Sequence, residues 1–101
     1  MKIQLTDGAL AWFKDEFEAE VQDEIRLFVR YGGEGGFQQG FSLGITKEAA
    51  DHPAVQEVVD GVTFYIEEKD IWYFDGENVT ISYNDVRDEI EYIHGNKINS
   101  I

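Results

Sequence analysis

Glu34 is the one ionisable side chain in Gly32-Gly33-Glu34-Gly35-Gly36. Glycine adopts backbone angles closed to other residues, so the flanking pairs govern how the carboxylate is presented. Phosphate-binding loops feed a helix N-terminus and add a lysine or a hydroxyl. Here the loop leads into a strand-like segment, lacks lysine and is negative at its tip, which argues against a phosphate cradle. A carboxylate base needs a shifted pKa and a concave site, and neither is readable in sequence. There is no Gly-x-Ser-x-Gly elbow, and neither histidine sits in a motif pairing it with a nucleophile, so no catalytic residue is expected. Oxygen and imidazole donors for a metal are Glu34, His52, His94, Asp85 and Asp88. They lack the spacings of helical histidine pairs or calcium loops. His52, before Pro53 in a polar segment, reads as solvated and His94 as a surface histidine, leaving Glu34 and His94 as the candidates for a metal contact.

Composition narrows the chemistry further. The 101 residues hold 21 Asp and Glu against 8 Lys and Arg, a net charge of −13. Such a surface repels nucleic acid and anionic lipid, which bind through clustered cations. With 43% hydrophobic and 14% aromatic residues, the chain has enough apolar material for one folded domain, expected over 1–101. It has no cysteine, which excludes disulfides, thiolate catalysis and sulfur-ligated metal within the chain. Met1 to Leu5 lacks a signal-peptide core, and no apolar run approaches membrane-spanning length. The expected location is the cytoplasm.

The elements that must position these residues are read from periodicity. Thr6 is a helix N-cap with Asp7 in the first turn, and Ala9, Leu10, Phe13, Phe17 and Val21 recur at helical spacing, so a helix is expected from Asp7 to Val21. Trp12 covers the edge of that stripe. Ile25, Leu27, Val29 and Tyr31 then alternate with Arg26, Phe28 and Arg30, and Phe41, Leu43 and Ile45 alternate beyond the glycine loop, which predicts an antiparallel pair. Gly40 and Gly44 mark a bulge or a crowded approach in the second strand. Thr46 to Pro53 reads as a loop with one helical turn. Val55–Val59 and Val62–Ile66 flank the turn Asp60-Gly61, while Ile71 to Phe74 is ambiguous by period. Asp75-Gly76 is a turn, Val79, Ile81 and Tyr83 form a strand, and Glu89 to His94 alternates with Ile90 and Tyr92 on one face. The tail 96–101 shows no pattern and is expected to be loose. The sum is a mainly β chain with an N-terminal α-helix, a small sandwich or barrel-like architecture. Trp72, Tyr73 and Phe74 read as core, with Tyr73 or Trp72 lining a groove.

The order of these features resembles the HesB-like family, the A-type carriers of iron–sulfur cluster assembly. Leu5-Thr6-Asp7-Gly8-Ala9 is similar to the family's opening into its helix, and Ile25 to Arg30 to its Leu-Arg-Leu-x-Val strand. Gly33-Glu34-Gly35-Gly36-Phe37 stands where the family has Gly-Cys-Ser/Ala-Gly and a large apolar residue. Val62 to Gly76 resembles the family's later strand, short helical segment and Asp-Gly turn. The resemblance implies a helix docked on a compact β sandwich or pseudo-barrel, with a tendency to self-associate as a homo-oligomer. The family's loop cysteine and C-terminal Cys-Gly-Cys hold iron or a cluster; here the loop carries Glu34 and the tail reads Lys97-Ile98-Asn99-Ser100-Ile101. No ligand role carries over, and a cysteine-free branch of the family is implied.

The expectation is therefore a non-enzymatic HesB-like domain without a bound cofactor, acting through protein contacts with proteins of iron–sulfur cluster assembly as the implied partners. The alternative is a small hard-cation or polar-ligand binding protein using Glu34 with neighbouring acids or His94. Gly33, Glu34, Gly35 and Gly36 mark the loop at the family's cysteine position.

Overall fold

The computed structural model describes residues 1–33 and 37–95. The element order is β1 (Ile3–Leu5), α1 (Asp7–Asp15), β2 (Glu24–Tyr31), β3 (Phe41–Lys47), β4 (Pro53–Val59), β5 (Val62–Glu67), a 3-10 helix (Glu68–Phe74), β6 (Val79–Asn84) and β7 (Glu89–His94). The strands form a three-stranded sheet, β1-β6-β7, and a four-stranded sheet, β3-β2-β5-β4. Both sheets and α1 feed one core that includes Ile3, Phe13, Ile25, Leu27, Phe64, Val79 and Ile81. The chain is thus mainly β with an N-terminal helix, and its two sheets do not close into a barrel.

The helix begins where expected and stops earlier. The Thr6 side chain accepts the Ala9 N–H at 3.2 Å, capping an N-terminal donor that has no partner inside the helix. Helical structure ends at Asp15, not Val21. The N–H groups of Glu16 and Phe17 both donate to the Trp12 carbonyl, and Glu18 turns left-handed with φ 55°. Asp15, Glu16, Glu18 and Glu20 would load four carboxylates onto the negative end of the helix dipole. Ending the helix early also lets Ala19 reach the core while Val21 stays 71% exposed. Trp12 does cover the stripe's edge, stacked on Phe17 and edge-on to Phe13.

The predicted β2–β3 pair forms in the expected antiparallel sense, with Leu27 opposite Ile45 and Tyr31 opposite Phe41. Gly44 is the crowded approach: a Cβ there would fall 2.7 Å from the Phe28 ring and 2.8 Å from Arg30 Cδ. Asp60 and Gly61 both have positive φ, 51° and 82°, the backbone that lets a two-residue turn join twisted antiparallel strands. Thr46 and Lys47 complete β3, residues 48–52 contain no helical turn, and Pro53 opens β4. The cause is Glu67, whose carboxylate oxygens accept the Asp51 and His52 N–H groups at 2.8 and 2.7 Å and so tie the segment to the end of β5. Ile71 to Phe74, ambiguous by period, belongs to the 3-10 helix.

Two features escape periodicity. Strand β1 has three residues, too few to display a period, and it exists because it pairs in parallel with β6 near the other end of the chain. In β5, Tyr65 is as buried as its neighbours Phe64 and Ile66, although alternation would send it to solvent. The segment 48–52 covers it, and its hydroxyl donates to the Glu48 carbonyl. The tail 96–101 lies outside the described residues.

Deleting a core ring should separate the helix end seen here from a longer helix. Phe13→Ala is expected to lower unfolding free energy by about 3–5 kcal/mol and Val21→Ala by less than about 0.5 kcal/mol, measured by urea denaturation. Comparable losses at both positions would contradict a helix that ends at Asp15.

Candidate functional site

The loop between β2 and β3 is pinned at its neck and along its return limb. Gly32 donates its N–H to the Gly40 carbonyl at 2.8 Å, and Gly32, Gly33 and Gly40 all have positive φ. A side chain at Gly33 would collide with Ser42. Glu34, Gly35 and Gly36 lie outside the described residues, so the tip expected to present the carboxylate is not placed. The return limb is anchored by Phe37, whose ring sits 5.3 Å from Tyr73, 5.1 Å from Phe74 and 4.3 Å from His94 between centroids. Gln38 Nε2 donates to the Tyr73 carbonyl at 3.4 Å.

His94 is partly buried, where its strand-end position suggested the surface. It pairs across β6–β7 with Val79, which is fully buried, and cross-strand partners point to the same face. Its Nε2 is sealed from solvent and has no hydrogen-bond partner among the described residues. The signal was present in the sequence: His94 shares the parity of Ile90 and Tyr92. The structure therefore joins two distant features, the glycine loop's return limb and the end of β7. The other proposed donors stay apart. Asp85 and Asp88 are exposed in the β6–β7 turn, at the opposite end of β7 from His94, about 17 Å away at strand rise. His52 is solvated, as expected, with its side chain 75% exposed.

From this junction an aromatic row runs outward. Tyr73 is fully buried and donates its hydroxyl to the Phe41 carbonyl at 3.4 Å. Phe41 lies edge-on to both Trp72 and Tyr31. Tyr73 and Phe74 are core, as the sequence indicated; Trp72 is half exposed and Tyr31 is 94% exposed.

A second feature leaves little trace in the sequence. A cleft of about 570 Å³ is lined by Arg26, Glu48, Asp51, His52, Glu67, Glu68 and Lys69. At its base Arg26 donates to Asp70 at 2.8 Å and to Glu48 at 3.3 Å, with Arg26 and Asp70 both nearly buried. Burial opposes the Arg26 charge, but the pairing with Asp70 and then Glu48 outweighs it and holds the guanidinium above its ordinary range. Because both Glu67 oxygens serve the 51–52 backbone, these charges are engaged in holding the fold. The available signal was an arginine on the second face of an alternating strand and an acidic run at Glu67 to Asp70.

With this geometry in hand, the chain belongs to the iron-sulphur cluster biosynthesis family, whose model matches residues 1–98. It is similar to a protein of Bacillus subtilis (strain 168) named "Pyruvate dehydrogenase inhibitor", 45% identical over 89 residues that cover 88% of this chain and 94% of the relative. It is 41% identical to an uncharacterized protein of Staphylococcus saprophyticus over 91% of this chain and 97% of the relative. An uncharacterized protein of Staphylococcus aureus (strain MRSA252) is 39% identical with the same coverage of 91% and 97%. No solved structure gives a significant match.

Membership raises the question of whether these residues suit an iron–sulfur cluster. Thiolates hold such clusters, and the chain has none. Where the loop meets β7, the donor in view is one imidazole packed against Phe37. Among the described residues no three His, Asp or Glu converge as a ligand set. The residues present do not fit a cluster.

Three phenols are pushed up to about 12: Tyr65 by burial and the nearby Glu48 and Glu67, Tyr83 by its hydrogen bond to Asp88, and Tyr92 by burial, which Arg30 partly opposes. A folded-state pKa above the unfolded value of 10 favours the neutral phenol. That stabilisation is complete below pH 10 and is lost as pH rises through about 12. In an alkaline titration read by phenolate absorbance, the folded chain should ionise later than the chain in denaturant. Coincident curves would contradict the buried placement of Tyr65 and Tyr92.

Proposed function

We propose that this chain is a non-enzymatic member of its family that acts in the cytoplasm by binding pyruvate dehydrogenase and lowering its activity. The observation that carries this reading is the 45% identity, over 94% of the relative's length, to the protein named as an inhibitor of that enzyme. The donor chemistry supports it. The scaffold resembles one that presents cysteines, yet the chain has no cysteine, and its loop is anchored by aromatic packing. A surface of net charge −13 suits a partner with a basic face. Partners in iron–sulfur cluster assembly are supported only by family membership.

The test is the rate of pyruvate oxidation by pyruvate dehydrogenase from the organism that encodes the chain, titrated with the purified chain. The expected result is a saturable fall in rate that levels off once the enzyme's binding sites are filled. An unchanged rate at chain concentrations up to about 100 μM, well above a micromolar Kd, would sink the reading.

A second reading, a hard-cation or polar-ligand site built on Glu34 with neighbouring acids or His94, has one observation in its favour: the Nε2 of His94 is sealed from solvent and has no hydrogen-bond partner among the described residues. A ligand that binds only the folded chain raises its melting temperature. A screen of divalent cations should then show a rise that His94→Gln abolishes. A shift that survives in His94→Gln would remove His94 from the site.

A further inference from the structure

Tyr31 ends β2 on the same parity as Ile25 and Leu27, both fully buried, yet it stands 94% exposed. The inward-facing row of the strand thus runs past the end of the core and carries a ring into solvent. It is not a loose side chain. Phe41, its cross-strand partner, meets it edge-on at 5.7 Å, and Trp72 meets Phe41 edge-on at 5.3 Å. Trp72 is half exposed and lies 5.8 Å from Tyr73, which is fully buried. The rings therefore form one continuous row from core to surface, each held by the next.

Phe41 and Trp72, packed on the buried Tyr73, lose little conformational freedom when a partner covers them, so their apolar area converts efficiently into affinity. Tyrosine and tryptophan are the residue types that dominate protein–protein contact energies. Among the described residues, the other large apolar side chains that stand exposed, Val21, Val58 and Val86, are aliphatic. Past Trp72 the chain exposes Asp75 and Glu77, and Arg30 stands exposed beside Tyr31, within an overall charge of −13.

We propose that Tyr31, Phe41 and Trp72 are the patch by which this chain grips its protein partner, seating their rings in an apolar recess with a basic rim. The proposal rests on the inhibitor reading above and adds the surface responsible. The occupant is the pyruvate dehydrogenase of that reading; the chain's net charge of −13 favours a positively charged face and disfavours a second copy of this acidic chain.

The experiment titrates pyruvate dehydrogenase with the wild-type chain, Tyr31→Ala, Trp72→Ala and Val86→Ala, recording inhibition, binding and the melting temperature of each. Tyr31→Ala and Trp72→Ala are expected to raise the half-inhibitory concentration at least ~10-fold each, the scale of a central interface aromatic, and Val86→Ala to leave it unchanged. If Trp72→Ala melts early, Tyr31→Ala decides, because a side chain so exposed adds little to the core. Wild-type inhibition with both aromatic variants equally potent overturns the patch while the inhibitor reading stands. Absence of binding and inhibition by the wild-type chain overturns the inhibitor reading, and the patch falls with it.

Discussion

Val62, Phe64, Tyr65 and Ile66 all lose their exposure in β5, so this strand needs cover on both faces, and much of the architecture answers that requirement. On one side Phe64 meets Phe13 of α1 at 5.0 Å between ring centroids, joining helix to sheet. On the other, the segment 48–52 lies over Tyr65. Its backbone donors need partners once covered, and the buried Glu67 supplies two of them. Glu67 and Asp70 in turn bring negative charge to the place where Arg26 leaves β2. A buried ion pair of this kind is weak evidence for stability, since desolvation offsets much of the attraction. The pair ties β2 to the 3-10 helix across 44 positions of chain.

The 3-10 helix is the hinge between architecture and surface. Fixed at its start by the charged junction, it delivers Tyr73 and Phe74 into the core and leaves Trp72 half exposed. Phe37 packs on Tyr73 and Phe74, so the loop's return limb is set by the same helix. The same return limb meets the end of β7. What meets there is an aromatic ring and an imidazole.

Much of the fold was legible because its signals are local. The β2–β3 alternation, the Asp60-Gly61 turn and the Thr6 cap each rest on residues within a few positions of one another. The helix was overextended because Phe17 and Val21 keep the helical period while the carboxylates around them oppose the dipole. The candidate site was less legible. Glu34 stands out through its glycines, whereas a strand-end position points His94 to the surface. Its partial burial depends on a partner, Val79, that only the sheet supplies.

By itself the sequence determined the mainly β character with its leading helix, the strongly acidic surface and the exclusion of sulfur chemistry, since these follow from composition and short-range period. The tertiary structure alone decided that β1 pairs with β6, that Arg26 meets Asp70 across 44 positions of chain, and that the loop's return limb packs on His94. It also turned Tyr31, Phe41 and Trp72 into one row. Contacts of that kind leave no periodic trace, because each depends on which distant segment the packing of two-faced β5 brings alongside.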